Sequence, residues 1–105
     1  MVEFVAFLDK YLPDADKNDS SYVSGYLQAV ALAQVLKQSG DNLTRKNVMS
    51  EAANLKDFKI GMLIDGITLN TAADDFYPVE QYQMRRFQGE SWETFGPIID
   101  GHDVK

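Results

Sequence analysis

Apolar positions in the N-terminal half of the chain recur with helical spacing. Phe4, Val5, Leu8, Tyr11 and Leu12 fall at intervals of three and four, which predicts an amphipathic helix from Val2 to Leu12. Pro13 ends it, because the residue before a proline is pushed out of the helical region. Asp14 to Ser20 is polar and turn-rich, so it reads as a surface loop, and Ser20 or Ser21 stands where a helix cap is needed. The next helix is predicted from Tyr22 to Gln38. One stripe of it carries Tyr22, Tyr26, Ala29, Val30, Ala33 and Leu36, and Val23, Leu27, Ala31, Leu32 and Val35 make most of the remainder apolar. A helix that is apolar nearly all round needs cover on more than one side. Gly40 supplies its stop, and Thr44 caps a third helix whose inner face is expected to carry Val48, Met49, Ala52 and Ala53.

The period changes after Asn54. Met62 to Ile64 and Ile67 to Leu69 read as a bent extended stretch with Gly66 at the bend. From Val79 to Phe87 the chain alternates, with Val79, Gln81, Gln83, Arg85 and Phe87 on one side and Glu80, Tyr82, Met84 and Arg86 on the other. Gln88-Gly89-Glu90-Ser91 reads as a hairpin turn, and Trp92, Thr94 and Phe95 as the return strand. The polar residues 100–105 read as a frayed tail. The expected organisation is one partial domain: a helical part at 1–55, a strand crossing and C-terminal hairpin at 56–99, and a tail at 100–105.

Composition narrows the chemistry. At 105 residues the chain can form one small domain, and 45% hydrophobic residues place it among folded proteins. A net charge of −6 argues against nucleic-acid binding, which needs a basic stripe. Arg85 and Arg86 are the tightest basic cluster, and neighbours on a strand point to opposite faces. The absence of cysteine removes a disulfide scaffold, a thiolate zinc site and a Cys nucleophile. Glu3 and Asp9 interrupt any signal-peptide core, and no apolar run approaches a membrane span. No nucleophile–base pair is visible, so an enzyme is not expected, and no catalytic residue or cofactor is assigned.

Several segments, taken in order, resemble the C-terminal region of the branched-chain amino acid type of periplasmic substrate-binding proteins, the receptors of ABC importers. They are Phe4-Val5-Ala6-Phe7-Leu8 with Lys10-Tyr11-Leu12-Pro13-Asp14-Ala15; Gly25-Tyr26 followed by Ala29, Leu32 and Ala33; and Leu43-Thr44-Arg45-Lys46-Asn47-Val48. The series continues with Gly66-Ile67-Thr68-Leu69-Asn70-Thr71, Asp74-Asp75-Phe76-Tyr77-Pro78, Gln81, and the turn Gly89-x-x-Trp92. The match runs from Val2 to Ile99. The resemblance implies an α/β parent of two lobes, the type I periplasmic-binding-protein fold. Here it would be represented by a C-terminal fragment of three helices plus a short antiparallel sheet. It also implies a solute-binding role for amino acids or related small carboxylates, lobe closure on the ligand, an ABC permease as partner and a periplasmic location.

Within that resemblance the ligand-binding candidates are Ser21 and Tyr22, at the N-terminus of the long helix, where free amides and the positive dipole end suit a carboxylate. The plainer reading makes Ser21 a cap and Tyr22 core. Asp14, Asp16 and Asn18 fit the start of a calcium loop, but its sixth position is Asp19 rather than Gly and its twelfth is Gly25 rather than Glu. Asp74 and Asp75 are adjacent in an extended loop and diverge. His102, the single histidine, has no second imidazole for a metal site, and no metal ligand is assigned. The aromatics Tyr82, Phe87, Trp92 and Phe95 read as cross-strand pairs of a half-buried sheet. The alternative function is a small stand-alone interaction domain whose bare apolar faces drive homodimerisation.

Overall fold

The computed structural model describes residues 1–104, Val104 by its backbone alone; Lys105, the last residue of the expected tail, lies outside the described residues. The elements run α1 (Val2–Tyr11), α2 (Ser20–Ser39), α3 (Arg45–Ala52), β1 (Gln81–Phe87), β2 (Trp92–Asp100) and a final 3-10 turn, Gly101–Val104. This is a mixed α and β chain of three helices and one two-stranded antiparallel sheet. It divides into two compact units. One holds Met1–Ala52 with Ile60–Met62, and the other holds Ala53–Lys59 with the chain from Leu63 onward.

In the helical unit, α1 stops one residue before the predicted Leu12, and the Leu12 amide still closes the last turn on the Leu8 carbonyl. Phe4 and Leu8 are buried at 1% and 2% exposure, as an i, i+4 apolar pair requires. Phe4 and Phe7 each meet the Tyr26 ring of α2 edge-on with centroids 5.3 Å apart, the arrangement the ring quadrupoles favour. α2 is capped by Asp19, whose carboxylate accepts the Ser21 amide at 2.8 Å. The serines expected as caps lie inside the first turn; a carboxylate held one residue earlier meets the same amides and also suits the helix dipole. Gly40 ends α2 at φ 58°, and the Ser39 hydroxyl is buried by bonding back to the Val35 carbonyl. Thr44 caps α3 as expected, its Oγ1 accepting the Asn47 amide at 3.3 Å. Met49 departs from the expected inner face and is 52% exposed.

In the other unit, the stretch read as two short strands forms no ladder. Its backbone is held by the isolated bridge between Phe58 and Leu69 and by a turn from Ile64 to Ile67, with Gly66 at φ +90°. Side chains supply the bonds that a sheet would have provided. Thr71 Oγ1 accepts the Leu55 amide, Asn70 Oδ1 accepts the Asp57 amide and Gln81 Oε1 accepts the Thr68 amide. With this polar frame in place, Leu55, Ile67 and Leu69 are buried.

The hairpin turns where expected, with Gly89 at φ +78° and the Gln88 amide on the Ser91 carbonyl. β2 is much longer than the three residues predicted. Phe87 faces Trp92 and Met84 faces Phe95, but Gln83 faces Ile98, so Gly96 and Pro97 are looped out as a bulge. Pro97 has no amide to give the ladder, Gly96 takes φ +71°, and the Gln83 side-chain amide donates to the Gly96 carbonyl at 3.0 Å. The Phe87 and Trp92 rings meet at a tilt of 56° with centroids 5.4 Å apart, which is the cross-strand pairing expected. The sheet around them is not half-buried: Tyr82, Met84, Phe87, Trp92 and Phe95 are all exposed.

Gly25 and Gly66 should respond to alanine in opposite directions. A Cβ on Gly25, inside α2, meets nothing within 4 Å, so Gly25→Ala should stabilise by about 0.5–1 kcal/mol through helix propensity. A Cβ on Gly66 would stand 2.7 Å from Ile98 Cδ1 at positive φ, so Gly66→Ala should cost about 1–2 kcal/mol. Denaturant midpoints of the two variants check both signs.

Candidate functional site

Ser21 and Tyr22 sit in the first turn of α2, at one end of an apolar groove between α1 and α2. The groove measures about 460 Å³ and its walls include Phe4, Phe7, Leu8, Leu12 and Tyr26. The helix N-terminus does not present these two amides for a ligand. The Ser21 amide is bonded to the Asp19 carboxylate and the Tyr22 amide to the Asp19 carbonyl at 3.2 Å. What lines the groove at this end is therefore side chain, Ser21 and Tyr22 beside a largely hydrocarbon wall, with the Ser21 hydroxyl bonded to the Asp19 carboxylate. Such a surface suits an apolar body with one polar end, or the apolar face of more protein.

The loop before α2 is organised by its own carboxylates. Asp16 accepts the Asn18 amide at 2.9 Å in a local turn, and Asp19 follows as the cap. The Asp16 and Asp19 carboxylates thus serve the backbone around them.

A second concave region lies in the other unit. Its volume is about 730 Å³, and it is lined by Asn70, Thr71, Ala72, Asp74, Asp75, Tyr77, Glu80 and His102. His102 is part of an ordered 3-10 turn rather than a frayed tail. Its Nε2 lies 2.6 Å from Glu80 Oε2 and 3.5 Å from Asp75 Oδ2. Each partner is brought there by a separate piece of backbone. Asp75 closes a tight turn with Ala72 and holds the Tyr77 amide on Oδ1 at 3.0 Å, leaving Oδ2 toward the imidazole. Glu80 immediately precedes β1, and its carbonyl accepts the Gly101 amide at 2.8 Å, which continues the ladder past the last strand pair. His102 is turned by its own amide bonding to Asp100 Oδ1 at 2.9 Å.

This cluster was not legible in the sequence because its register depends on the bulge. A hairpin continued without it would set Gln83 against Gly96, whereas Gln83 faces Ile98, two residues further on. That shift brings residues 101 and 102 beside Glu80. The signal that could have found it is Gly96-Pro97 within a strand, a pair that favours a bulge. Asp74 and Asp75 diverge as expected, since only Asp75 joins the cluster. Among the described residues no buried side-chain nitrogen or oxygen lacks a hydrogen-bond partner, and no helix is long and apolar enough to cross a membrane.

No known protein family, curated protein or solved structure matches the chain.

Asp19 gives the helical unit a pH dependence. Hydrogen bonds from the Ser21 backbone amide first, and from the Ser21 side chain second, hold its carboxyl below the usual 3.8. The cap's contribution is therefore complete above the unfolded-state value and is lost as pH falls through the lower folded value. Acid unfolding followed by circular dichroism should show this limb in the wild type. In Asp19→Ala that component of the acid slope should be missing.

Proposed function

We propose that this chain is the C-terminal region of a non-enzymatic solute-binding receptor of an ABC importer, for amino acids or related small carboxylates. The observation that carries the reading is the bare apolar surface of the helical unit. Phe7, Tyr11, Leu12, Leu32 and Leu36 are all at least 40% exposed, and Tyr22 is 37% exposed. A small soluble domain rarely leaves so much apolar surface on two neighbouring helices, and a helix apolar on most sides belongs between layers. The ordered resemblance from Val2 to Ile99 supplies the identity of what would cover it: the remainder of a two-lobed α/β protein.

On this reading, Ser21 and Tyr22 stand at the rim of the inter-lobe cleft. The Ser21 hydroxyl, whose proton goes to Asp19, keeps its oxygen as an acceptor, and the Tyr22 ring offers apolar cover to the ligand. Binding would draw the lobes together by a hinge motion, and the closed form would dock on the permease. The location that goes with this role is the periplasm.

A second reading rests on the same exposed residues: a stand-alone domain that covers its face with another copy of itself. The two differ in what the chain does alone. A self-sufficient domain should form a dimer of defined mass, unfold cooperatively and bind no amino acid. A receptor fragment should associate without fixed stoichiometry. It should acquire amino-acid binding only when joined in frame to the coding sequence upstream of Met1. Light scattering after size exclusion, with calorimetry against an amino-acid panel, distinguishes them. Millimolar or tighter binding by the isolated monomer would refute the fragment reading.

A further inference from the structure

We propose that Asp75, Glu80 and His102 form a binding site for a divalent transition-metal ion, with zinc as the best fit. The proposal is independent of the transport reading, because all three residues belong to the unit built around the hairpin. The three side chains offer one imidazole nitrogen and two carboxylate oxygens, all within 4.8 Å of one another. Donors on a tetrahedral zinc at about 2.0–2.2 Å stand roughly 3.3–3.6 Å apart. The His102–Asp75 separation of 3.5 Å already has that value, and the 2.6 Å between His102 and Glu80 need only open slightly. Glu80 and Asp75 are each partly buried, and His102 is the more exposed member, so an ion enters from the His102 side and a water can complete the coordination.

The donor set selects the class of ion. Calcium and magnesium favour all-oxygen shells, whereas an imidazole beside carboxylates suits zinc and its neighbours, with affinity rising toward the copper end of the series. The ligands are also held in advance. Tyr77 fixes the Asp75 carboxylate through Oδ1, the Gly101 amide ties the backbone at Glu80, and Asp100 sets the turn that aims His102. These restraints distinguish the cluster from three acidic or basic groups that meet on a mobile surface. On binding, the imidazole nitrogen gives its lone pair to the metal, and the ion's positive charge stands between the two carboxylates. The consequence for the fold is that the chain end after β2 is clipped to the loop before β1.

His102 is the single histidine of the sequence, so its imidazole resonances report on the site without ambiguity. The test is a titration of the full chain, carrying no added histidines, with zinc alone. One equivalent should shift the His102 ring signals in saturable fashion and raise the melting temperature. Glu80→Gln and Asp75→Asn should each weaken zinc affinity by about tenfold or more, and His102→Gln should abolish the shift in melting temperature. If the His102 signals do not move, or if the two carboxylate variants bind zinc as tightly as the wild type, the proposal is overturned. A plain ion-pair clamp would give the first result, and its loss would lower stability equally with and without zinc.

Discussion

Covering apolar surface with a short chain is the constraint on which the rest of this structure depends. Among the described residues, more large apolar side chains are exposed than buried. The helical unit has its buried apolar side chains at Phe4, Leu8, Val35 and Ile60, and the other unit at Leu55, Ile67 and Leu69. A chain of this length buries a smaller share of its surface than a full-sized domain, so it holds together by specific local devices more than by core volume. Those devices are visible throughout. Asp19 caps α2, Thr44 caps α3, and Thr71, Asn70 and Gln81 take the place of strand neighbours for the loop before the hairpin.

The same constraint links the two concave regions to function. In the helical unit the edge contacts of Phe4 and Phe7 on Tyr26 join α1 to α2 but leave a groove, because two helices alone cannot enclose a helix that is apolar on most of its circumference. In the other unit the sheet is exposed toward its turn, while at its far end Gln81, Gln83, Ile98 and Asp100 are half-buried. The Gly96-Pro97 bulge shifts the strand register and brings His102 beside Glu80, and a separate turn at Ala72 places Asp75 next to them.

The particular elements show where sequence reasoning reached and where it stopped. All three helices were legible, to within two residues at either end, because helical period and caps are local signals. The turn at Gly89 and the Phe87–Trp92 pair were legible for the same reason. The stretches at 62–64 and 67–69 were not, because a short apolar run cannot reveal whether a neighbour exists to pair with it. The length of β2 was hidden because Gly96-Pro97 resembles a strand terminus when it is in fact a bulge. Met49 satisfied the helical period but lies on a face that nothing in its own unit covers.

The sequence by itself determined the helices, the hairpin turn and the acidic charge balance. It placed Ser21 and Tyr22 at the start of the long helix, since that position follows from local periodicity. The tertiary structure alone decided that the amides there are taken by Asp19. It alone also decided that the long helix is left open to solvent along much of its length, and that His102 meets Glu80 and Asp75. Each of these depends on which distant backbone groups hydrogen-bond to one another. Register and burial are properties of the paired chain, and no local run of residues encodes them.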